Sequence, residues 1–288
     1  MSAHRSGLTV AHIAALLFGL TGVLGALIRG DAAVVTLGRA CFACAALATF
    51  ALVHKLPLVR TLTLHKLRIL FATGALLAIH WVTFFVAVKV GGVAVATLGF
   101  ASFPAFIAML DMLLFREKIC PSEGLLLTLV TMGLVLVTPS FDFGDQGTVG
   151  LMLGLGSGLS FAILAMCNRR GVRGMNPVQI AFWQNAVVSL LVAPIAASGL
   201  GRLGPMDWFF LALLGIFCTG LSQYLFVKSL ETLSARTSGM VLALEPVYAI
   251  ACAWWLFAER PSLRMLAGAA LIISATAMSA RKGPQIAT

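Results

Sequence analysis

Long apolar stretches recur along the whole chain and are separated by short polar segments. We place them near residues 8–28, 33–53, 69–88, 93–115, 121–138, 148–168, 178–199, 208–228, 234–257 and 263–280. Each has about the 20 residues that an α-helix needs to cross a hydrocarbon core of about 30 Å. The strands of a β-barrel would instead alternate over about ten residues. The pattern therefore predicts an all-α membrane protein with ten transmembrane helices.

The fourth and the ninth of these stretches carry two versions of one pattern. Residues 95–117 and 237–259 align without gaps, which pairs Pro104 with Pro246 and places a Phe and a Glu at matching positions near the end of each copy. Proline and glutamate are uncommon inside apolar helices, so this match indicates an internal repeat. We expect Pro104 and Pro246 to mark matched points where their helices bend during gating.

The repeat divides the chain into two halves of five spans, residues 1–140 and 146–288. Because five is an odd number, the second half enters the membrane in the orientation opposite to that of the first. The predicted architecture is therefore two inverted five-helix repeats. In secondary transporters built this way, the substrate site lies near the midplane between the repeats.

The basic residues of the loops favour one side of the membrane. With the N-terminus in the cytoplasm, fourteen Lys and Arg residues fall in cytoplasmic segments and five fall in outer segments, namely Arg29, Lys89, Arg202, Arg260 and Arg264. This asymmetry follows the positive-inside rule. It predicts cytoplasmic termini in a multi-pass protein of the bacterial inner membrane. It also accounts for the net charge of +10 without a nucleic-acid partner.

Composition agrees with a chain that lies mostly in lipid, since 60% of its residues are hydrophobic, 10% are charged and the mean hydropathy is +1.01. The sequence has no HExxH or GxSxG motif, and the Cys41/Cys44 pair stands on an apolar helix without a His or acidic neighbour. We therefore predict no enzymatic activity, no metal site and no cofactor. The choice between a monomer and a homodimer stays open.

Three charged residues fall inside the predicted spans, where an ionised side chain costs about 2.5–3.5 kcal/mol at the helix centre. Asp111 lies close enough to the end of its span to reach the interface, and Arg39 is expected to bond carbonyl groups or a neighbouring helix. Glu245 stands at mid-span directly before Pro246, which frees backbone carbonyls for a polar ligand. Glu245 is therefore the charged residue most suited to face a cavity. The alternative is a neutral carboxyl group hydrogen-bonded within the bundle.

Spans three, six and eight supply the rest of the candidate site. Polar residues recur at helical spacing in span eight, and the register-matched positions of span three carry a histidine and a tryptophan. An amphipathic face inside a membrane meets protein or water instead of lipid. We predict that one substrate-binding cavity at mid-depth is lined by His80, Trp81, Ser160, Ser222, Gln223 and Glu245. The alternatives are a structural core role for His80 and a lipid contact for Trp81.

Two five-helix halves, each with a proline-bearing fourth helix that ends in Glu, resemble the EamA family of the drug/metabolite transporter superfamily. Residues 103–117 and 245–259 carry this resemblance, although Arg116 and Ala258 stand where that family often has Gly. Arg39 resembles the family's arginine in span two, and Gln184 stands at the comparable place in span seven. The resemblance implies a transporter of this fold. Its YddG-type branch, which exports aromatic and other amino acids, is the branch that we suspect.

Taken together, the sequence predicts an inner-membrane exporter that moves amino acids or similar small metabolites out of the cytoplasm by alternating access. The aromatic and polar stripes suit a cargo with a charged head and an apolar side chain. One alternative is a proton-coupled exporter of cationic drugs, for which Glu245 would be the charge partner. A second alternative, from another class, is a membrane channel or a structural membrane protein. The expected partners are a small-molecule substrate and the lipid bilayer.

Overall fold

The computed structural model of this chain describes residues 2–60, 62–115, 121–138, 142, 144–171, 175–229, 241, 244–258 and 260–281. Over these residues the chain is helical and contains no strand. Its helices are α1 Ser2–Leu27, α2 Ala32–Val53, α3 Leu64–Phe100, α4 Phe103–Phe115, α5 Pro121–Val137, α6 Gln146–Gly171, α7 Pro177–Leu200, α8 Pro205–Gly215, a π-helical turn Ile216–Leu221, α9 Ser222–Ser229, α10 Glu245–Phe257 and α11 Leu263–Arg281.

The prediction of an all-helical membrane protein is confirmed. Within the described residues, six helical segments are long and apolar enough to cross a bilayer, and shorter apolar helices include Gly124–Val137 and Leu263–Met278. Each of the ten predicted stretches contains helix in its described part. The ten-helix prediction is therefore consistent with the structure, although several spans are built from more than one helical segment.

Predicted spans three and four are continuous as α3, but Gly92 breaks the helix with φ 82° and ψ 166°. Only glycine adopts this conformation without steric strain. The chain therefore reverses at Gly92. It then breaks again between α3 and α4, just before Pro104. Pro246 likewise lies at the start of α10, so each of the two predicted prolines opens a half-helix inside its span.

The two halves meet along a seam of glycines between α3 and α6. A Cβ atom added to Gly150 would lie 2.5 Å from the Cα atom of Gly91, and one added to Gly154 would lie 2.9 Å from the carbonyl oxygen of Ala96. Such distances are shorter than any normal contact, so these positions accept only glycine while the backbones stay this close. The spacing of four between Gly150, Gly154 and Gly158 indicates this close packing in the sequence.

The two ends of the bundle are named here after one residue of each. At the Leu58 face, the side chains of Gln179 and Trp183 donate hydrogen bonds of 2.9 and 2.8 Å to the carbonyl oxygen of Leu58. At the Arg29 face, the backbone N–H of Arg29 donates to a carboxylate oxygen of Asp207 at 2.9 Å. Both contacts join the first half of the chain to the second.

Candidate functional site

A cavity of about 370 Å³ lies inside the bundle, with walls from α1, α2, α3, α4, α6, α9, α10 and α11. We call it the central cavity. Six aromatic side chains contribute to its wall, namely Phe18, Trp81, Phe84, Phe100, Phe103 and Phe161. Its volume lies in the range of about 300–1,000 Å³ that is typical of small-molecule sites.

The structure brings four of the six predicted site residues to this wall: His80, Trp81, Gln223 and Glu245. Both predicted bending points, Pro104 and Pro246, also lie on it. Residues that are 142 positions apart in the sequence therefore meet at one cavity. Pro104 and Pro246 both reach the cavity because each lies at the start of a half-helix that begins inside its span.

Ser160 and Ser222 do not lie on the wall. Ser160 donates to the carbonyl oxygen of Ser157 at 2.9 Å, and Ser222 donates to the carbonyl oxygen of Cys218 at 2.9 Å, so both hydroxyl groups bond their own helices. The π-helical turn Ile216–Leu221 shifts the register of span eight, because its hydrogen bonds skip one residue more than those of an α-helix. Beyond this turn, Gln223 lies on the cavity wall and Ser222 does not.

Arg39 is a further cavity residue whose expected role was a structural contact. Its guanidinium carbon lies 3.9 Å from the centroid of the Trp81 ring, and its Nε donates a hydrogen bond of 2.7 Å to Thr219. The side chain is only 4% exposed, yet it lines the central cavity. Within the described residues, Nε is its one hydrogen-bonded donor. The guanidinium group therefore keeps donors for a ligand while Trp81 and Thr219 hold it in place.

Glu245 lies on the wall of the same cavity. In the described part of the chain, its carboxyl group has no hydrogen-bond or ion-pair partner, and it does not pair with Arg39 within 4.0 Å. The two opposite charges still attract each other across the cavity. Arg39 is buried and Glu245 is half-buried, and a poorly solvated charge without a partner is unfavourable, so each of these side chains is ready to pair with a charged ligand.

His80 is fixed by Ser157 of α6. The Ser157 hydroxyl donates to the His80 carbonyl oxygen at 3.0 Å, and the imidazole Nδ1 lies 2.7 Å from that hydroxyl oxygen and 3.2 Å from the Ser157 carbonyl oxygen. A carbonyl oxygen only accepts, so this network assigns the proton to Nδ1. The other nitrogen, Nε2, is then an acceptor in the neutral ring. The imidazole thus combines a structural contact with a place on the cavity wall.

Two more acceptors on the wall have no partner among the described residues. They are the amide oxygen Oε1 of Gln223 and the hydroxyl oxygen of Thr21. Leaving a buried polar atom without a hydrogen bond costs about 1–3 kcal/mol. Together with Glu245 and the free nitrogen of His80, they give the cavity several acceptors opposite the single cation of Arg39.

Some predicted features lie outside what the structure describes. These are the side chain of Asp111 and the two glutamates that end the repeated segments, Glu117 and Glu259. Among the described residues, no group of His, Cys, Asp and Glu side chains has the arrangement of a metal site.

The comparisons with known proteins agree with this architecture. The EamA-like transporter family matches the chain twice, over residues 5–138 and over residues 148–281. The chain is 24% identical over 216 residues, covering 72% of its own length and 68% of the relative, to an uncharacterized transporter YxxF of Bacillus subtilis (strain 168). It is 26% identical over 201 residues, covering 69% of its own length and 72% of the relative, to an uncharacterized transporter of Archaeoglobus fulgidus.

A solved crystal structure of a protein resembles the whole chain, with a TM-score of 0.64 over 95% of this chain and 96% of that one. Its identity of 18% supports the fold alone. The double family match shows the duplication that the proline-bearing segments indicate in the sequence. The chain belongs to the EamA-like transporter family and is a multi-pass membrane transporter of small molecules.

Proposed function

We propose that this transporter exports amino acids with apolar or aromatic side chains. The observation that carries the proposal is the central cavity, where Arg39 and Glu245 face one space without pairing and six aromatic side chains line the same wall. The guanidinium group suits the cargo carboxylate, and the Glu245 carboxylate suits the cargo ammonium group. The aromatic rings suit an apolar side chain. A zwitterionic cargo pairs with both cavity charges at once.

The topology belongs to the same proposal. We assign residues 1–140 and 146–288 to two repeats of opposite orientation, with both termini in the cytoplasm of a bacterial cell and the chain in the inner membrane. The sequence supports this orientation, since fourteen basic residues fall in the segments assigned to the cytoplasm and five fall in the outer segments. The Leu58 face is then the cytoplasmic face, from which an exporter takes its cargo.

Alternating access requires parts of the bundle to move around the cavity. Pro104 and Pro246 lie on the cavity wall at the start of half-helices, where the backbone already lacks helical hydrogen bonds. We assign the bending to these two points. The glycine seam of α3 and α6 is packed too closely to serve the same purpose.

The test is a competition experiment in liposomes that contain the purified transporter. Uptake of radiolabelled phenylalanine is measured with excess phenylalanine, with phenylalanine amide, which lacks the carboxylate, or with 3-phenylpropanoate, which lacks the ammonium group. We expect saturable uptake that only the intact amino acid suppresses strongly. Equal suppression by all three compounds, or uptake that never saturates, would contradict a zwitterion site.

Two alternatives give other results in this experiment. A proton-coupled exporter of cationic drugs would use Glu245 and would prefer the amide, which carries only the ammonium charge. Arg39 opposes that function because a second cation in the same cavity would be repelled. A channel would give flux without saturation, and a structural membrane protein would give none.

A further inference from the structure

A second cavity of about 540 Å³ opens near the Leu58 face. Phe50 and Asn168 lie three residues before the ends of α2 and α6, and Pro177 is the first residue of α7, so this part of the wall is within about 5 Å of the helix ends. We call it the Leu58-side cavity. It lies closer to one membrane surface than the central cavity does.

The two cavities share two wall residues, Phe18 of α1 and Gln223 of α9. Arg39, on the central wall, lies seven residues after the start of α2, which places it about 10 Å below the Arg29 face. The cavities are therefore stacked along the bundle, and Phe18 and Gln223 stand between them. Each of these side chains presents one surface to each cavity.

The wall of the Leu58-side cavity differs in chemistry from the central one. The described residues on it include no charged side chain, whereas the central wall carries Arg39 and Glu245. Phe50 and Tyr224 form an aromatic pair there, with ring centroids 5.1 Å apart. Such a wall suits the apolar part of a ligand and offers nothing to balance an ion.

The polar side chains on this wall are three amides, Asn168, Gln184 and Gln223, and the phenol of Tyr224. Gln184 donates a hydrogen bond of 2.9 Å to Asn168, so that pair is already satisfied. Gln223 is not, because its Oε1 is buried and accepts no hydrogen bond within the described residues. The unpartnered acceptor of the Leu58-side cavity is thus located at the boundary with the central cavity.

We propose that the Leu58-side cavity is a second binding chamber on the transport path, and that Gln223 with Phe18 forms the partition between the chambers. The inference rests on the proposed function. The cargo's apolar side chain packs against the aromatic side chains of the Leu58-side cavity while its ammonium group donates to Oε1 of Gln223. The cargo then passes the partition and meets Arg39 and Glu245. The uncharged Leu58-side cavity thereby favours cargo with an apolar side chain before the cargo's charged groups reach Arg39 and Glu245.

The partition is tested without any cargo, by the rate at which single cysteines react with a small charged thiol reagent. In a background without native cysteines, Thr21→Cys reports on the central cavity and Ala46→Cys reports on the Leu58-side cavity, because each lines only that one. Rates are measured in membrane vesicles of both orientations. Gln223→Ala is then added to each reporter, and Gln223→Met serves as the control that keeps the volume of the side chain.

With Gln223→Ala we expect the Thr21→Cys rate from the Leu58 side to rise by about tenfold, which corresponds to a barrier lowered by about 1.4 kcal/mol. The Ala46→Cys rate should stay unchanged, and Gln223→Met should leave both rates near those of the parent. An unchanged Thr21→Cys rate, or an equal rise at both reporters, overturns the partition. Because the assay needs no cargo, this failure is distinct from failure of the amino-acid proposal.

The second chamber is tested by protection with phenylalanine. We expect phenylalanine to slow the reaction of both reporters, with weaker protection at Ala46→Cys, and to lose the protection at Ala46→Cys when Gln223→Met removes the acceptor. Protection at Thr21→Cys with none at Ala46→Cys overturns the second chamber and leaves the central site intact. No protection at either reporter overturns the proposed function, and with it the chamber.

Discussion

Arg39 packs against the Trp81 ring, bonds Thr219 and lines the central cavity. A single arginine in a span indicates a structural contact as readily as a ligand site, and the structure gives it both, with Trp81 stacked on its guanidinium group and the cavity beside it. Lysine would keep the charge and lose both the stacking and the Nε bond to Thr219. Charge and planar geometry are therefore separable by substitution at this position.

We predict that Arg39→Gln weakens phenylalanine binding by about tenfold or more and removes the preference for phenylalanine over phenylalanine amide, because the carboxylate loses its partner. Arg39→Lys should give an intermediate affinity. Competition binding in detergent measures both variants. Arg264→Gln is the matched control, since Arg264 is exposed and bonds only the carbonyl oxygen of Val135 in the described structure. Unchanged discrimination in Arg39→Gln contradicts a carboxylate role.

Glu245 is predicted to be the partner of the ammonium group. Glu245→Gln keeps the shape of the side chain and removes its ionisation, so transport of phenylalanine should fall by about tenfold or more and its dependence on pH between about 6 and 8 should disappear. Initial rates in liposomes at several pH values measure this effect. Wild-type rates across that range would reduce Glu245 to a structural residue.

At the scale of single elements, the half-helices that begin near Pro104 and Pro246 shape the cavity. Gly19 of α1 lets the bend of α10 come close, because a Cβ atom there would lie 2.9 Å from the carbonyl oxygen of Glu245. The bend is therefore held against α1 without a side chain between them. Because the two helices are in direct contact, a movement of α10 would displace α1, which carries Phe18 and Thr21 of the cavity wall.

We predict that Pro104→Ala and Pro246→Ala each lower the maximal transport rate several-fold while leaving phenylalanine affinity and protein yield close to wild type. The reason is that alanine restores a helical N–H and stiffens the bend. Pro194→Ala is the matched control, because Pro194 lies inside α7 at an exposed position away from the cavity. Initial rates and equilibrium binding, measured on the same preparations, separate the two effects. Wild-type rates in both cavity variants would remove the bending role.

At the scale of elements, the sequence predicted the helices and the glycine contacts, which follow a regular spacing of residues. It did not predict features that depend on an irregular backbone. Ten apolar stretches and the Gly150–Gly154–Gly158 spacing could be seen in advance because helix length and close packing have simple patterns. The π-helical turn in span eight has no such pattern, and a strict period of 3.6 placed Ser222 beside Gln223 on the cavity. The central wall combines residues from eight helices, which no single stretch of sequence reveals.

At the scale of the whole molecule, hydrogen bonds between described residues join the two halves at both faces. At the Arg29 face, Asp207 accepts from the backbone N–H of Arg29 at 2.9 Å, and at the Leu58 face the carbonyl oxygen of Leu58 accepts from Gln179 and Trp183 at 2.9 and 2.8 Å. The Leu58-side cavity opens near the Leu58 face.

Between the faces, the seam of α3 and α6 holds the halves together through backbone contact. We predict that Gly154→Ala destabilises the protein by about 1–3 kcal/mol, the usual cost of overpacking, because the new Cβ atom meets the Ala96 carbonyl oxygen. Gly156→Ala, two residues away on the same helix, has no atom within 4 Å of the new Cβ and should be neutral or slightly stabilising. Thermal unfolding of both variants in one detergent measures the difference. Equal unfolding temperatures would mean that the halves tolerate separation along this seam, and the rigid pairing of α3 with α6 would then have to be abandoned.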